Sequence, residues 1–254
     1  MSFPYISAAE AIPRAGLRLV VLGRVPSPWS EAAKGIFHVK RLDFAAVRLV
    51  YDDDALTRWT GGVRNAPVAV YENEPPRSGW AEILMLAERL APSPALLSLE
   101  PHERGRALEL ANDFCGERGL GWTRRLQCVQ AGLQRGGGFP ERIAGYLGKR
   151  YGYDPAQGES YGPRVRELLG KFSAALKGSG GEYYHGDTFG AVDIYSAVFM
   201  ALFQPLPEAT CAMDPNIRVA FEWLDDATRA ALDPALIAHR DRMYARHLET
   251  PLAL

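Results

Sequence analysis

The sequence predicts a mixed α/β unit followed by an all-helical region. Three observations carry that expectation. Apolar runs at 17–22, 44–51 and 67–71 alternate with two helical stretches. After Pro101 no strand-like alternation returns, while helical patterns recur. The run 194–203 has Ser196 as its one clearly polar residue, and a helix apolar all round must be buried on every side. That run is the expected central helix of the second region.

Residues 17–22 (Leu-Arg-Leu-Val-Val-Leu) suit a strand buried on both faces, as in a helix-covered parallel sheet. Gly23 and Pro26 end it. Ser30 is an expected N-cap for a helix over 31–41, with Ala33, Ile36, Phe37 and Lys40 at helical spacing. Residues 44–51, rich in Val and Ala, predict a second strand. Asp52-Asp53-Asp54 closes it and can cap a short helix through Trp59, which Gly61-Gly62 breaks. Residues 67–71 predict a third strand. Glu74-Pro75-Pro76 lies where a fourth would follow, and proline restricts any such strand to an irregular edge. Trp80 to Leu90 predicts a helix that ends at Pro92.

In the second region, Ala107, Leu110, Ala111 and Phe114 predict one helix, and Trp122 to Leu133 continues it after Gly116, Gly119 and Gly121. Gly136-Gly137-Gly138 is a break. Ile143, Tyr146, Leu147, Arg150 and Tyr151 predict a short helix, and 152–158 a loop. Val165, Leu168, Leu169, Phe172 and Leu176 make an amphipathic stripe. At the buried run, Gly190 takes the N-cap and Asp193 the N3 position, from which a carboxylate reaches back to free N–H groups. Phe189 and Ile194 are placed as a hydrophobic staple, and Pro205 and Pro207 stop the helix. Phe221 and Leu224 mark another helix, and Pro234 opens a last one through Leu236, Met243 and Leu248.

Bulk properties exclude several classes. With 47% hydrophobic and 23% charged residues the chain reads as an ordinary soluble protein. A net charge of −1 gives no attraction to nucleic acid or to an anionic membrane. Cys115, Cys128 and Cys211 are far apart, which fits a reducing cytosol better than disulfides or a zinc site. His239, Met243 and His247 share a helical face without a third strong ligand, so no metal is expected. Residues 1–16 lack the apolar core of a signal peptide, and no run is long enough to span a bilayer. The glycines at 136–138 lack the Lys-Ser/Thr of a phosphate loop.

The stretch 184–203, with its small cap residue followed three positions later by Asp193, resembles the segment that nucleates the C-terminal domain of cytosolic glutathione transferases. Gly190 stands where Ser or Thr is usual there. The strand–helix order of 17–90 is similar to the thioredoxin-like domain of the same family. The resemblance implies a thioredoxin-like glutathione-binding domain at 17–91 after an extension at 1–16. A linker at 92–98 and an all-helical domain at 99–254 would complete the chain. It also implies a homodimer in the cytoplasm, glutathione as co-substrate and a small apolar electrophile as its partner, with neither nucleic acid nor membrane involved.

Site residues follow from the same resemblance. Ser27 of Ser27-Pro28-Trp29-Ser30 holds the position of the family's sulfur-activating residue, with Ser30 as the alternative and Trp29 beside them. Asn65-Ala66-Pro67 matches the family's cis-proline loop, where Ala66 would present its backbone to the cysteinyl part of glutathione. Arg77-Ser78 matches the pair that holds the γ-glutamyl end. There Ser78 would take the carboxylate at a helix N-terminus. Arg77 departs from the usual Glu or Gln; it either pairs a carboxylate or stays a solvated charge. Trp122, Arg125, Arg240 and His247 are the candidates for the electrophile pocket, with a structural salt bridge as the alternative for Arg240. Three functions stay open: a transferase, a glutathione-dependent dehalogenase or ether-cleaving enzyme, and a non-catalytic binding protein on the same scaffold.

Overall fold

The computed structural model describes residues 3–254. Its sheet is built around β2 (Leu17–Val21), whose five residues are all buried. β3 (Phe44–Arg48) pairs with it in parallel and β4 (Val68–Tyr71) antiparallel, with Leu19 opposite Ala46 and Ala69. β1 (Tyr5–Ile6) adds a short parallel edge beside β3, so residues assigned from sequence to an extension join the sheet. The strand order is β1-β3-β2-β4. Past β4 the chain forms a single bridge, Ala69 to Arg77, which is the irregular edge that the two prolines require.

Among the boundaries that differ from the sequence expectation, two have a plain local cause. β3 stops at Arg48, because its neighbour β2 ends at Val21 and leaves only the Leu49 N–H bonded to the Val21 carbonyl at 2.8 Å. The first long helix, α2 (Pro28–Val39), starts three residues before the predicted position, with Ser27 as N-cap. Proline at the first helical position loses no hydrogen bond and has its φ already set for the helix. Before it comes α1 (Ala8–Ala11), after β3 comes α3 (Asp54–Trp59) capped by Asp53, and after β4 comes α4 (Trp80–Leu90).

The second region is helical throughout. α5 (Pro101–Cys115), α6 (Leu120–Leu133), α7 (Glu141–Tyr151) and α8 (Gly158–Gly178) lead to α9 (Ala191–Phe199), and a 3-10 turn (Met200–Leu202) finishes the apolar run. α10 (Pro215–Glu222), α11 (Asp226–Ala231) and α12 (Pro234–Arg246) follow. Every residue of α9 is buried, and the helix packs on α2, α5 and α12. It therefore touches both regions, and one continuous core joins the sheet's inner face to the bundle. The Asp193 carboxylate accepts from the Gly190 N–H at 2.8 Å and the Tyr184 N–H at 2.9 Å, so the cap reaches outside its own helix.

The connection between the regions is held by one cation. Lys40 Nζ donates to the carbonyls of Ala91 and Pro94, each at 2.7 Å, and meets Glu88 Oε1 at 2.7 Å. No helix among the described residues is long and apolar enough to cross a membrane.

Candidate functional site

A cleft of about 690 Å³ opens where the α/β region faces α5, α6 and α7. Its floor comes from three loops at one end of the sheet. The loop after β2 delivers Ser27, Pro28 and Trp29; the turn before β4 delivers Asn65, Ala66 and Pro67; the approach to α4 delivers Ser78 and Gly79. These segments are far apart in sequence and meet because β2 and β4 are neighbours.

Ser27 is the N-cap of α2, yet its side chain makes no capping bond. Its backbone carbonyl accepts from Glu31 N–H at 2.9 Å, so the helix starts without the hydroxyl. That hydroxyl stands at a helix N-terminus, where free N–H groups concentrate positive potential. Ser30 is different. It is fully buried, and its Oγ accepts the Leu22 N–H at 3.3 Å, holding the loop shut from inside. The candidate catalytic role for Ser30 is thereby corrected: a helix starting at Pro28 turns position 30 away from the cleft.

Trp29 ties the two regions together. Its Nε1–H donates to the Cys115 carbonyl at 2.8 Å, and its ring meets Phe199 edge-on at 5.1 Å. The Ala66–Pro67 peptide is cis. Asn65 Oδ1 accepts the Ala66 N–H at 3.1 Å and lies 3.5 Å from the Tyr151 hydroxyl.

At α4, Glu82 Oε2 accepts the N–H groups of Gly79 at 2.9 Å and Ser78 at 3.2 Å. Glycine has no side chain to return the bond, so only half of a reciprocal cap exists. Ser78 lines the cleft. Arg77 does not. Its backbone bridges Ala69, and its guanidinium pairs with Glu74 at 2.6 Å, which Arg89 also holds at 2.7 Å. These hydrogen bonds, from Arg89 first and then Arg77, lower the Glu74 pKa. The assignment of Arg77 to the glutathione site is corrected on this geometry, since Arg77 is absent from the cleft lining and its guanidinium is taken by Glu74.

The far wall is helical. Trp122 and Arg125 lie on α6, and Ile143, Tyr146, Leu147 and Tyr151 on α7. Trp122 meets Tyr151 edge-on at 5.6 Å. From sequence the α7 residues predict a short helix of no assigned role. The signal was present in their spacing, but nothing local says which side of α6 the segment returns to. Gly138, at φ 69°, makes that return: a Cβ there would stand 2.3 Å from the Cys128 carbonyl oxygen.

Arg240 and His247 are absent from the cleft lining, which corrects their assignment to an electrophile pocket. Arg240 is buried against the bundle, pairing Asp241 at 2.6 Å and donating to the Gln204 carbonyl. His247 lies 2.9 Å from the Tyr183 hydroxyl and stacks on Phe189 at 4.0 Å. Both sit on α12 or its end, across α9 from the cleft. His239, on the same helix, meets Asp193 at 2.9 Å. Among the described residues no cluster of His, Cys, Asp or Glu could hold a metal ion.

The cysteines at the cleft, Cys115 and Cys128, are buried. Burial pushes the thiols of Cys115 and Cys128 up, Cys115 well above its ordinary value.

No family model matches the sequence, and no curated protein matches it. Solved structures do match in fold. A glutathione S-transferase from Methylobacterium radiotolerans, in complex with glutathione sulfonate, is 19% identical over 91% of each chain with a TM-score of 0.60. One from Methylobacillus flagellatus with glutathione bound is 14% identical, covering 91% of this chain and 95% of that one, at a TM-score of 0.62. A β-etherase from Sphingobium is 14% identical over 91% and 96%, at 0.65. The chain has the glutathione S-transferase fold: a thioredoxin-like α/β region with a helical bundle behind it.

Proposed function

We propose that the chain is a glutathione-dependent transferase that activates the glutathione thiol for attack on an electrophile in the same cleft. The observation that carries this reading is Ser27. Its hydroxyl is released from capping, stands at the N-terminus of α2, and shares one cavity with Ala66 and Ser78. In this reading residues 17–91 bind glutathione, 99–254 wall the electrophile, and 92–98 join them.

The chemistry follows from the atoms. The Ser27 O–H donates to the glutathione sulfur and the helix end adds positive potential, so the thiolate is favoured over the thiol. The thiol proton leaves to water. The sulfur then forms a C–S bond to the electrophilic carbon as the leaving group departs with its electron pair. Ala66 offers its backbone to the cysteinyl unit, exchanging the Asn65 contact for the ligand, and the Ser78 hydroxyl takes the γ-glutamyl carboxylate.

The test is calorimetric titration of wild type and Ser27→Ala with glutathione, followed by turnover on 1-chloro-2,4-dinitrobenzene. Ser27→Ala should still bind glutathione while kcat/KM falls about 100-fold, the cost of one aimed donor. Absence of binding to either protein at millimolar glutathione sinks the reading.

A second reading, a non-catalytic binding protein, is favoured by one observation. The N–H groups ahead of α4 already hold Glu82, and Arg77 supplies no acidic or amide partner for a ligand amine. Under that reading glutathione binds without an increase in thiolate absorbance. The family resemblance further implies a homodimer in a reducing cytosol; sedimentation equilibrium of the purified chain checks the assembly.

A further inference from the structure

The cleft contains two arginines with opposite circumstances. Arg124 is buried and every nitrogen of its guanidinium has a partner: Nε donates to the Leu202 carbonyl at 3.1 Å, Nη1 to Gln127 at 2.8 Å, and Nη2 to the Trp223 carbonyl. Arg125, one residue on, is half-buried at the cleft wall and has no hydrogen bond or ion pair among the described residues. What holds it is aromatic. Its guanidinium carbon lies 4.0 Å from the Tyr151 ring centre, 4.5 Å from Trp29 and 5.5 Å from Trp122.

Ring faces attract a cation, but they use none of its five N–H donors. A guanidinium taken partly out of water therefore keeps unmet donor capacity directed at whatever fills the space beside it. The surroundings raise this demand. Arg150, whose guanidinium carbon lies 5.8 Å from the Tyr151 ring centre, brings a second positive charge. The one carboxylate at the lining, Glu117, is solvent-exposed and makes no ion pair with Arg125. Beyond the three rings the wall is apolar, with Ile143, Leu147, Leu202 and Phe221.

We infer that Arg125 anchors the carboxylate of an apolar-bodied organic acid, aromatic for preference, and that the electrophile of this cleft belongs to that class. The planar fork of arginine matches a carboxylate with two parallel N–H bonds, and the low polarity around it strengthens them. The hydrocarbon body then lies on the apolar wall, its reactive carbon turned toward Ser27. The inference rests on the transferase reading for its use of the word electrophile, but the anion site does not depend on glutathione chemistry. The electrophile expected from sequence to be simply apolar thus acquires a charged end.

An inert ligand pair tests this without turnover. Wild type is titrated calorimetrically with 4-methylbenzoate and with the isosteric, uncharged 4-methylbenzamide, and each titration is repeated on Arg125→Gln and Arg125→Lys. Wild type should prefer the carboxylate at least tenfold. Arg125→Gln should erase that preference while amide affinity stays within about twofold, and Arg125→Lys should keep only part of it, because an ammonium cannot form the fork. Equal wild-type affinity for the two ligands overturns the inference with no variant needed. So does a carboxylate preference that survives Arg125→Gln. A separate glutathione titration identifies the source of the anion. If Arg125→Gln weakens glutathione tenfold and leaves the aryl ligands alone, the cation serves the peptide's own carboxylate and the inference fails. If wild type binds 4-methylbenzoate selectively and never binds glutathione, the anion site stands and the transferase reading falls.

Discussion

Ser27 owes its freedom to Pro28, which starts the helix without needing a side-chain cap. Asp193 is the reverse, a wholly committed residue. It is fully buried, accepts the N–H groups of Gly190 and Tyr184, and lies 2.9 Å from His239 Nε2. Removing one member of a buried, hydrogen-bonded pair costs about 3–5 kcal/mol, because the remaining polar groups lose their partner without regaining water. Asp193→Ala should lose that much stability in urea unfolding. A loss below about 1 kcal/mol would show that the carboxylate's partners are satisfied some other way. Its capping position was legible in the sequence, three residues after a glycine at the head of an apolar run. Tyr184 and His239 were not, since they come from a loop and from a helix 46 residues away.

At the level of elements, the cleft depends on how closely α6 approaches α9. Gly121 permits the approach. A Cβ at that position would stand 2.3 Å from Phe199 and 2.8 Å from Trp29. Neither ring can yield cheaply: Phe199 is fully buried near Phe114, and Trp29 is tethered to the Cys115 carbonyl. Gly121→Ala should therefore cost about 1–3 kcal/mol through overpacking. It should also weaken any cleft ligand more than it weakens the fold, because α6 carries Trp122 and Arg125. Parallel unfolding and ligand titrations check both; an unchanged ligand affinity would mean that α6 does not set the cleft's width. From sequence this glycine reads as an interruption between helices. Its actual neighbours lie on α2 and α9, and no local pattern names them.

Across the whole molecule, the junction of the two regions hides a charged pair. Glu31 and Lys34 on α2 are both buried, 2.7 Å apart, and Lys34 Nζ also donates to the Ala253 carbonyl at 2.8 Å. Burial raises the Glu31 carboxyl above its ordinary value of 4.5, while Lys34 pulls it back down. A raised folded pKa means that the native state holds the proton more tightly than the unfolded chain does. Its stabilising effect is complete below the unfolded value and fades as pH rises through the folded one. Lys34→Met removes the counter-charge and drives the carboxyl higher, which extends that fading to higher pH. The variant should lose about 3–5 kcal/mol at pH near 8 and clearly less at pH near 5. Glu31→Gln added to it should recover most of the loss. Urea unfolding at the two pH values decides; a pH-independent loss would indicate that the pair matters only for packing.

Local pattern was enough to read the strand–helix–strand order, the helical second region and the buried run at 194–203, whereas the loops that bear Ser27, Ala66 and Ser78 were singled out by family resemblance alone. Each of the first three is written in side-chain periodicity, in caps or in proline and glycine, all of which act over a few residues. Local pattern could not say that Ser30 faces inward, that Arg77 turns to Glu74, that Arg240 and His247 lie behind α9, or that α7 closes the cleft. Those outcomes depend on which surfaces meet after the chain has folded. A polar side chain takes whichever partner tertiary packing brings within hydrogen-bonding distance. The same packing surrounds Arg125 with three rings and leaves its donors for a ligand.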